Sequence, residues 1–452
     1  MNQSISNYDG GITTSPRQLV YPETVEQIQV ILKDSERFPS PVRAMGSYHS
    51  LTPCASSDGT IVNMSRMNRI QEINPKTMTL TAQAGLQFIE ASKALRAQNL
   101  QFMTNIEIGN MTLGSAACCH TKDALDGIEH GQVNSYVTRI RWVNPSGELE
   151  EASEDSNPAL LRLIRSSYGL CGIVYQVTVR VKRLEAAHLT YLPRSIDRLT
   201  EAEIAKIIDA SEGLICWTLG RTAIFQTKKR IAEAGPFASV MAAARHVMWN
   251  HVGAFWGRAI DAYVPNPMRE VVHDFSFGLI RLGYAFLYVT GGLRLHDADK
   301  IVNYSSTGPA AKYAFTFWAF PREQWLTTLR QYLEFSDNHL KKYGFRCNMP
   351  LGSYYIRRDS SSLLSYTDAG DIFSIDPIHA YTDKAAWDRF LQEFNDFAAK
   401  RNGIPLLNQS PFVTRQHVEA AYGARWQQFS DWVRTVDPGA RMLNAFFRDL
   451  LS

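Results

Sequence analysis

One short loop of the chain combines residue types that can hold a phosphate group. Residues 41–45 (PVRAM) predict a strand, and Gly46-Ser-Tyr-His-Ser50 follows it as a tight loop. Gly46 lets the backbone approach an anion closely, the two serines add hydroxyl donors, and successive backbone N–H groups can converge on the anion. These residues predict an anion-binding turn. The alternative interpretation is an ordinary turn with a surface histidine, His49.

A second stretch has almost no side-chain volume. In residues 109–120 (GNMTLGSAACCH) most side chains are small, and residues 126–131 (DGIEHG) follow closely. Space beside such a backbone must be filled by something else, either a flat ligand or a neighbouring backbone. Both interpretations remain open from the residues alone.

Charge and cysteine content exclude several classes of protein. The 452 residues carry 47 Lys and Arg against 44 Asp and Glu, a net charge of +3, and the short basic runs lack interleaved aromatic residues, so nucleic acid is not an expected partner. The six cysteines include no C-x-x-C pair, which argues against a zinc site or a disulfide framework and predicts a reducing, cytoplasmic compartment.

Neither a signal peptide nor a transmembrane segment is expected. Residues 1–9 have no basic start and no apolar core. The most apolar run, Phe275 to Leu293, is interrupted by Arg281 and four glycines, so it predicts a buried segment of a cap domain instead of a membrane span. A peripheral contact with lipid is the alternative interpretation of this run.

Helical and strand patterns alternate along the chain. Thr24 and Gln27 form a capping-box pattern ahead of an apolar stripe, which predicts a helix start. Further strands are predicted at 60–64, 77–84, 136–143, 173–181, 313–320, 348–357 and 371–381. Further helices are predicted at 86–100, 158–167, 321–342 and 383–401. This pattern predicts a mixed α and β protein.

The order of these motifs resembles the FAD-binding domain of the vanillyl-alcohol oxidase superfamily. The shared features are the Gly-x-x-His-Ser loop after a strand, the Gly-rich Thr-x-Gly segment, a strand with a Pro-Ser-Gly turn, and Gly-Ile-Val. Within the superfamily the sequence is most similar to the sugar-lactone oxidases, of the gulonolactone and arabinonolactone type, and to alditol oxidase. The resemblance implies an α+β, two-domain flavoprotein: a bipartite FAD-binding domain (16–185, completed by a C-terminal segment, 405–452) and an α/β substrate-binding cap domain (186–404).

The resemblance also implies which residues hold FAD. In the family the first loop wraps the pyrophosphate, and its His is commonly bonded to the flavin 8α-methyl carbon. His49 has that position, so we expect either this covalent bond or packing against a non-covalent flavin. Thr112 to Ser115 matches the family's Thr-Val-Gly-Gly, with Ser115 replacing the second glycine, and Gly172 to Val174 matches a stretch near the adenine. The predicted FAD-binding residues are Arg43, Gly46, Ser47, Tyr48, His49, Ser50, Thr112, Gly114, Ser115, Gly172 and Val174.

The sequence departs from the family at the substrate side. Polyol and lactone oxidases carry a carboxylate and an arginine facing the flavin in the strand that matches residues 352–358, where this chain has Ser353 and Tyr355. Losing both charges argues against a simple sugar lactone, and Tyr354 and Tyr355 indicate a flatter or less polar substrate. Cross-strand packing is the alternative interpretation of the two tyrosines.

A family lysine near the C-terminus, directed at the flavin, is also missing. Gln409 is nearest to its position, with Arg415 and His417 as alternatives, and the predicted catalytic residues are Tyr355, Gln409 and His417.

The resemblance implies an FAD-dependent oxidoreductase. It would take a hydride from a C–H next to O or N of a small to medium organic substrate, acting on CH-OH groups, and pass electrons to O2 or another acceptor. The alternative is a flavin-fold protein with a non-redox role, as a cyclase or a ligand-binding protein.

Overall fold

The computed structural model describes residues 4–123, 130–265, 268–304 and 308–452. Up to residue 185 its strands are β1 (Ile5–Ser6), β2 (Thr13–Thr14), β3 (Gln18–Val20), β4 (Val42–Met45), β5 (Thr60–Asn63), β6 (Ile70–Asn74), β7 (Thr79–Gln83), β8 (Leu100–Phe102), β9 (Val137–Val143), β10 (Leu149–Ser153) and β11 (Ile173–Arg183). The helices of this part are α1 (Val25–Lys33), α2 (Phe88–Arg96), α3 (Leu113–Cys118) and α4 (Pro158–Ile164).

Two sheets organise this first part. β3, β5 and β4 pair in parallel, and β10, β9, β11, β7 and β6 form an antiparallel sheet in that order, with β8 added on β11. The predicted helix starts are confirmed: the Thr24 side chain caps α1, and Asn157 caps α4 with Pro158 at the first helical position. The apolar stripe of α1 is buried because it covers the sheet.

The second part begins with β12 (Ala186–Ser195). Its further strands are β13 (Gly213–Leu219), β14 (Thr222–Ile231), β15 (Leu293–His296), β16 (Ala314–Phe315), β17 (Trp318–Pro321), β18 (Leu351–Ile356), β19 (Ile372–Ile375), β20 (Ile378–His379) and β21 (Ile404–Pro405). Its helices, together with those that follow it, are α5 (Glu201–Asp209), α6 (Ala238–Val247), α7 (Gly253–Tyr263), α8 (Met268–Val289), α9 (Arg322–Tyr343), α10 (Lys384–Ala399), α11 (Arg415–Tyr422), α12 (Ala424–Val436) and α13 (Ala445–Leu451).

An eight-stranded sheet, in the order β15-β12-β14-β13-β18-β19-β17-β21, is the centre of this second part. α9 and α10 pack aromatic side chains on one of its faces, where Trp325 stacks on Phe373 at 4.3 Å between ring centroids. Phe390 and Phe394 of α10 are fully buried there. The opposite face is turned towards residues 106–108 and 121–123, which belong to the first part of the chain.

The C-terminal segment returns to the first part. The Val42 N–H donates to the Arg441 carbonyl at 2.8 Å, and the Asn444 side-chain amide donates to the carbonyls of Pro53 and Ser56. Hydrogen bonds from the C-terminal segment therefore help to hold β4 and the loop that follows it in place. The predicted α+β architecture with a bipartite first domain is confirmed.

Two sequence predictions need correction. Phe275 to Leu293 is not a buried segment, because α8 stands outside the sheet with Phe275, Leu282 and Phe286 exposed. The predicted strand at 371–381 is divided into β19 and β20 at Asp376-Pro377, since proline cannot donate to the ladder. Among the described residues, no helix is long and apolar enough to cross a membrane.

Candidate active site

A cavity, here called the loop cavity, lies between the β4–β5 region, α3 and the start of β11. All eleven predicted FAD-binding residues line it, together with Met111, Cys118, Cys119, Tyr168, Asn408 and Gln409 among others. The predicted residues come from three separate stretches of the chain, and the fold brings these stretches around one space.

The loop after β4 forms the first wall of this cavity. A Cβ atom on Gly46 would lie 2.3 Å from the Thr112 Oγ1 atom, so only glycine allows the two stretches to approach this closely. Tyr48 has a φ of +52°, a backbone conformation that side chains other than glycine rarely adopt, and its hydroxyl bonds to the Ser56 Oγ at 2.7 Å. A strained, tightly held loop of this kind is typical of a binding site.

α3 and the start of β11 form the other walls. Thr112 and Ser115 bond to each other through their hydroxyls at 3.0 Å, and Gly114 packs against Ala84. Gly172 has a φ of +129°, and a Cβ atom there would lie 2.0 Å from the Val143 carbonyl oxygen. The small residues therefore serve both interpretations of residues 109–120: they pack against neighbouring backbone and they also leave an open cavity.

Arg43 lines the loop cavity, but its side chain serves mainly to hold the surrounding loops. The guanidinium donates to the carbonyls of Cys54, Tyr168, Gly169 and Met442, at 2.5 to 3.2 Å. It is fully enclosed, and burial lowers its pKa. We therefore assign Arg43 to positioning the loop and not to direct pairing with a phosphate.

His49 lines the loop cavity and has an unsatisfied ring nitrogen. Its Nε2 atom is buried and has no hydrogen-bond partner in the described part of the chain. The ring stacks on Tyr8 at 4.4 Å between centroids, with Tyr304 against its edge. Burial lowers the pKa of His49 to about 3, and Lys312 adds to the shift, so the imidazole is neutral at physiological pH.

A second, smaller space adjoins the loop cavity, and we call it the polar cavity. The two cavities are adjacent, because both are lined by Ile108, Met111 and Gln409. The other residues around the polar cavity include Glu107, Thr121, Lys122, Asp123, Trp217, Tyr304, Tyr313, Phe315, Tyr354 and Asp376. Its volume is about 50 Å³, enough for a small functional group.

A buried ion pair dominates the polar cavity. The Lys122 ammonium contacts the Asp376 Oδ2 atom and also lies over the rings of Phe315 and Tyr354, at 4.4 and 5.0 Å from their centroids. The other carboxylate oxygen, Oδ1, is buried without a hydrogen-bond partner among the described residues. Burial raises the pKa of Asp376 to about 6, although Lys122 opposes the shift.

Of the two adjacent tyrosines of β18, Tyr354 lines the polar cavity and the predicted catalytic residue Tyr355 does not. Tyr354 faces the polar cavity, and its hydroxyl donates to the Glu107 Oε2 atom at 3.4 Å. Tyr355 points to the other face of the sheet, where its hydroxyl donates to Asp371 and its ring packs on Phe373. Since side chains alternate across a strand, Ser353 lies on the same side as Tyr355. We therefore replace Tyr355 with Tyr354 in the candidate site.

Gln409 and His417, the other two predicted catalytic residues, lie in different surroundings. Gln409 is at the junction of the two cavities, and its Oε1 atom is buried without a partner among the described residues. His417 accepts the backbone N–H of Thr414 at the start of α11, and its Nε2 bonds to Asp396 at 3.0 Å. His417 lines neither cavity, so it is removed from the candidate site as a helix-capping residue.

Sequence reasoning missed Lys122, Asp376 and Glu107. Lys122 follows the Cys-Cys-His run, and Asp376 breaks a predicted strand next to a proline, which could have marked it as exceptional. His120 of that run is an internal anchor, because its two ring nitrogens bond to the hydroxyls of Tyr168 and Ser362. Most of the run predicted at 126–131 lies outside the described residues.

Sequence comparison identifies relatives for this chain. A family profile described as "FAD binding domain" matches residues 16–153. L-gulonolactone oxidase of Scyliorhinus torazame is 21% identical over 447 residues, which cover 99% of this chain and 98% of that protein. L-gulono-1,4-lactone dehydrogenase of Mycobacterium tuberculosis is 23% identical over 209 residues, which cover 46% of this chain and only 47% of that protein.

Comparison with solved structures extends the likeness to the whole fold. The crystal structure of cholesterol oxidase from B. sterolicum superposes with a TM-score of 0.72 and covers 100% of this chain and 97% of that chain, at 14% sequence identity. At this identity the match establishes the two-domain architecture, and it carries no information on the substrate.

Proposed function

We propose that this chain, an FAD-dependent oxidoreductase, oxidises an alcohol group placed in the polar cavity. The observation that carries the proposal is the contact between the two cavities at Gln409, with an ion pair on the substrate side. The non-redox alternative has no support in the relatives, which are named as lactone oxidases and a lactone dehydrogenase.

The residues of the loop cavity fit FAD. Three buried atoms without a partner among the described residues can contact a polar aromatic ring system: His49 Nε2, Asn408 Oδ1 and Gln409 Oε1. Gly46 has no side chain, so its backbone borders the cavity directly and can contact a pyrophosphate. Bound FAD supplies the acceptor for the electron pair of the substrate C–H bond. The protein has to hold the alcohol beside it and take the hydroxyl proton.

We assign the proton transfer to Asp376. Its free Oδ1 atom lies in the polar cavity, and a pKa of about 6 leaves the carboxylate mostly ionised at neutral pH, in the range where a general base is effective. In the reaction the C–H bond loses its hydrogen with both electrons, the O–H bond loses a proton to Asp376, and the carbon becomes a carbonyl. Lys122 fixes the carboxylate and favours its charged form.

Anaerobic mixing of the flavin-loaded enzyme with alcohols, lactones and amines tests the proposed function. We expect at least one alcohol to bleach the visible absorbance of the flavin and amines to leave it unchanged. If every compound in the panel leaves the flavin oxidised, the proposed function is wrong.

We also propose that the flavin is bound covalently through His49. The neutral imidazole, its unpaired Nε2 atom and its position in the loop cavity support the bond. After precipitation with acid, the flavin colour should remain with the wild-type chain and be released from His49→Ala. His417→Ala is the matched control, since His417 lies outside the cavity, and it should keep the flavin. Release from the wild type would instead mean non-covalent FAD.

The electron acceptor belongs to the proposal as well. The two relatives described above are named as an oxidase and a dehydrogenase, so O2 and other acceptors are both compatible with the proposal. Production of one peroxide per substrate oxidised in air would assign O2, whereas reoxidation only by an added dye would assign another acceptor.

The division of the chain and its location remain proposals. We place the FAD-binding domain at 16–185, the cap at 186–404 and the returning segment at 405–452, supported by the change of sheet between β11 and β12. A cytoplasmic, reducing location is supported by six free cysteines, all within the described residues. Cell fractionation would test the location.

A further inference from the structure

The surface of the molecule is unusual over residues 237–289, which contain α6, α7 and α8 and which we call the three-helix segment. Seventeen of the twenty-two exposed large hydrophobic residues among those described belong to this segment. Tyr263 and Val289 are 85% and 82% exposed. Soluble monomers rarely expose apolar area on this scale outside a binding surface.

A large apolar cavity lies between this segment and the eight-stranded sheet. Its volume is about 570 Å³, which is in the range of pockets for medium-sized ligands and about tenfold larger than the polar cavity. We call it the helix-walled cavity, and its lining includes Leu189, Met241, Ile260, Phe277, Leu287 and Leu295. Met248, Trp256 and Phe286 line it and are also exposed, so the cavity opens on the apolar surface.

The helix-walled cavity adjoins the candidate active site. Trp217 of β13 lines both this cavity and the polar cavity. Arg245 of α6 lines the helix-walled cavity and pairs with Glu107, which lines the polar cavity, at 2.5 Å. Three spaces thus adjoin one another in order: the loop cavity, the polar cavity next to it at Gln409, and the helix-walled cavity, which shares Trp217 with the polar cavity.

We propose that the substrate is an amphiphile whose reacting alcohol group occupies the polar cavity and whose apolar chain occupies the helix-walled cavity. This inference rests on the proposed function and specifies its substrate class. The Lys122–Asp376 pair that would act on an alcohol is at one end of the series, and the walls of the other end are mostly apolar, with Arg245 paired to Glu107 at the boundary. A compact sugar has no apolar part to cover the walls of the helix-walled cavity, which would stay exposed to water.

Two glycines of α8 allow a matched pair of variants. Gly283 lines the helix-walled cavity, and no atom lies within 4 Å of a Cβ built there, so Gly283→Phe would place a ring in or across the cavity without a clash at its first atom. Gly278 is on the same helix but outside the cavity lining, and a Cβ there meets only the Arg281 guanidinium at 3.8 Å. Both substitutions remove a glycine from a helix interior, which favours folding in each case.

The experiment measures binding of butanol, hexanol, octanol, decanol and dodecanol to the oxidised, flavin-loaded enzyme by calorimetry, and flavin reduction by the same alcohols without oxygen. Burial of each methylene should tighten binding about fourfold until the cavity is filled. Gly283→Phe should remove most of this dependence on chain length, while Gly278→Phe should keep it.

The outcomes separate the inference from the proposed function. Binding that does not depend on chain length, or that depends on it equally in both variants, overturns the apolar chain site even if short alcohols reduce the flavin. Binding that depends on chain length and is lost in Gly283→Phe, without reduction by any alcohol, supports the apolar site and contradicts the alcohol oxidation. The protein could instead form a stable dimer in which a second copy covers the three-helix segment. If alcohol affinity then does not change with chain length, the surface serves self-association and the inference is overturned.

Discussion

The loop cavity and the polar cavity meet at Gln409, but they are built in different ways. Backbone and small side chains from three continuous stretches wall the loop cavity, with Gly46, Gly114 and Gly172 at close contacts. Long side chains from distant segments wall the polar cavity, where Lys122 and Asp376 are 254 residues apart. The first cavity is therefore defined by shape and the second by charge.

This difference predicts how each cavity responds to substitution. In the loop cavity one added methyl group should act by occupying space needed by the cofactor, because the surrounding backbone is packed and fixed. In the polar cavity a substitution of equal size that removes a charge should act on the chemistry, because the cofactor is held elsewhere. The predictions below test this contrast.

Removing the charge of Asp376 should have the largest effect. In Asp376→Asn the proton acceptor is lost while the size is kept, so the rate of flavin reduction by substrate should fall about a thousandfold, in the range measured for loss of a general base. The flavin spectrum and FAD content should not change. Stopped-flow absorbance under anaerobic conditions measures both.

Asp371→Asn is the matched control for this variant. Asp371 accepts bonds from Tyr355 and from the Arg358 backbone on the opposite face of the same sheet, away from the polar cavity. It should keep the wild-type rate of reduction. Equal losses in both variants would mean that the effect comes through the sheet, and the assignment of a base would fail.

Adding one methyl group at Gly46 should weaken FAD binding about a hundredfold. A Cβ atom there would lie 2.3 and 2.9 Å from Thr112 side-chain atoms, so the 112–115 stretch must shift into the cavity. The flavin content of purified Gly46→Ala, with titration of FAD into the flavin-free protein, measures the loss. Gly439→Ala, where no atom lies within 4 Å of a Cβ, should retain the flavin.

The same contrast explains what could be predicted from sequence. The FAD-binding residues could be chosen because loop chemistry is local. Gly46, His49 and Ser50 lie within five consecutive residues of one turn, and the helix caps at Thr24 and Asn157 depend on neighbouring residues. All eleven line the loop cavity. The resemblance that guided this choice also rests on short continuous motifs.

The substrate side could not be chosen in the same way. β18 is buried on both faces, so its composition does not tell which of Tyr354 and Tyr355 faces the cavity. The pairing of Lys122 with Asp376 depends on packing between two parts of the chain, which no local pattern encodes. The apolar residues of α8 predicted burial because burial is the usual position of such side chains, and the structure places many of them at the surface.

The pH dependence of flavin reduction should identify the base. With a pKa of about 6 for Asp376, the rate should fall about tenfold per pH unit below that value, because the protonated carboxyl cannot accept the hydroxyl proton. Glu107, Asp123, Lys122 and Tyr354 face the same cavity, so the profile of Asp376→Asn is needed as a reference. In Asp376→Asn this fall in rate at low pH, the acid limb of the profile, should disappear. If the acid limb is unchanged, the titration belongs to another group.

Loss of stability through Asp376 itself does not explain this limb. The pKa of Asp376 is raised above its ordinary value of 3.8, so the folded state binds the proton more tightly than an unfolded chain. Protonation of this group therefore stabilises the fold as pH falls from about 6 towards 4. The buried His49, His120 and His379 act in the opposite direction, because burial lowers their pKa values and the fold loses stability as pH falls below their ordinary value of 6.5. Thermal unfolding of the wild type and of Asp376→Asn across the same pH range separates the Asp376 contribution from theirs.

The smallest predicted effect separates the two adjacent tyrosines of β18. In Tyr354→Phe the long hydrogen bond to Glu107 is lost inside the polar cavity, and a bond of about 1 kcal/mol corresponds to roughly a fivefold slower reduction or weaker substrate binding. In Tyr355→Phe the lost bond to Asp371 is on the opposite face, so stability should decrease while the reduction rate stays at the wild-type value. Anaerobic reduction kinetics and thermal unfolding of both variants give the comparison. If Tyr355→Phe slows reduction more than Tyr354→Phe, the polar cavity is not where the substrate binds, because only Tyr354 lines it.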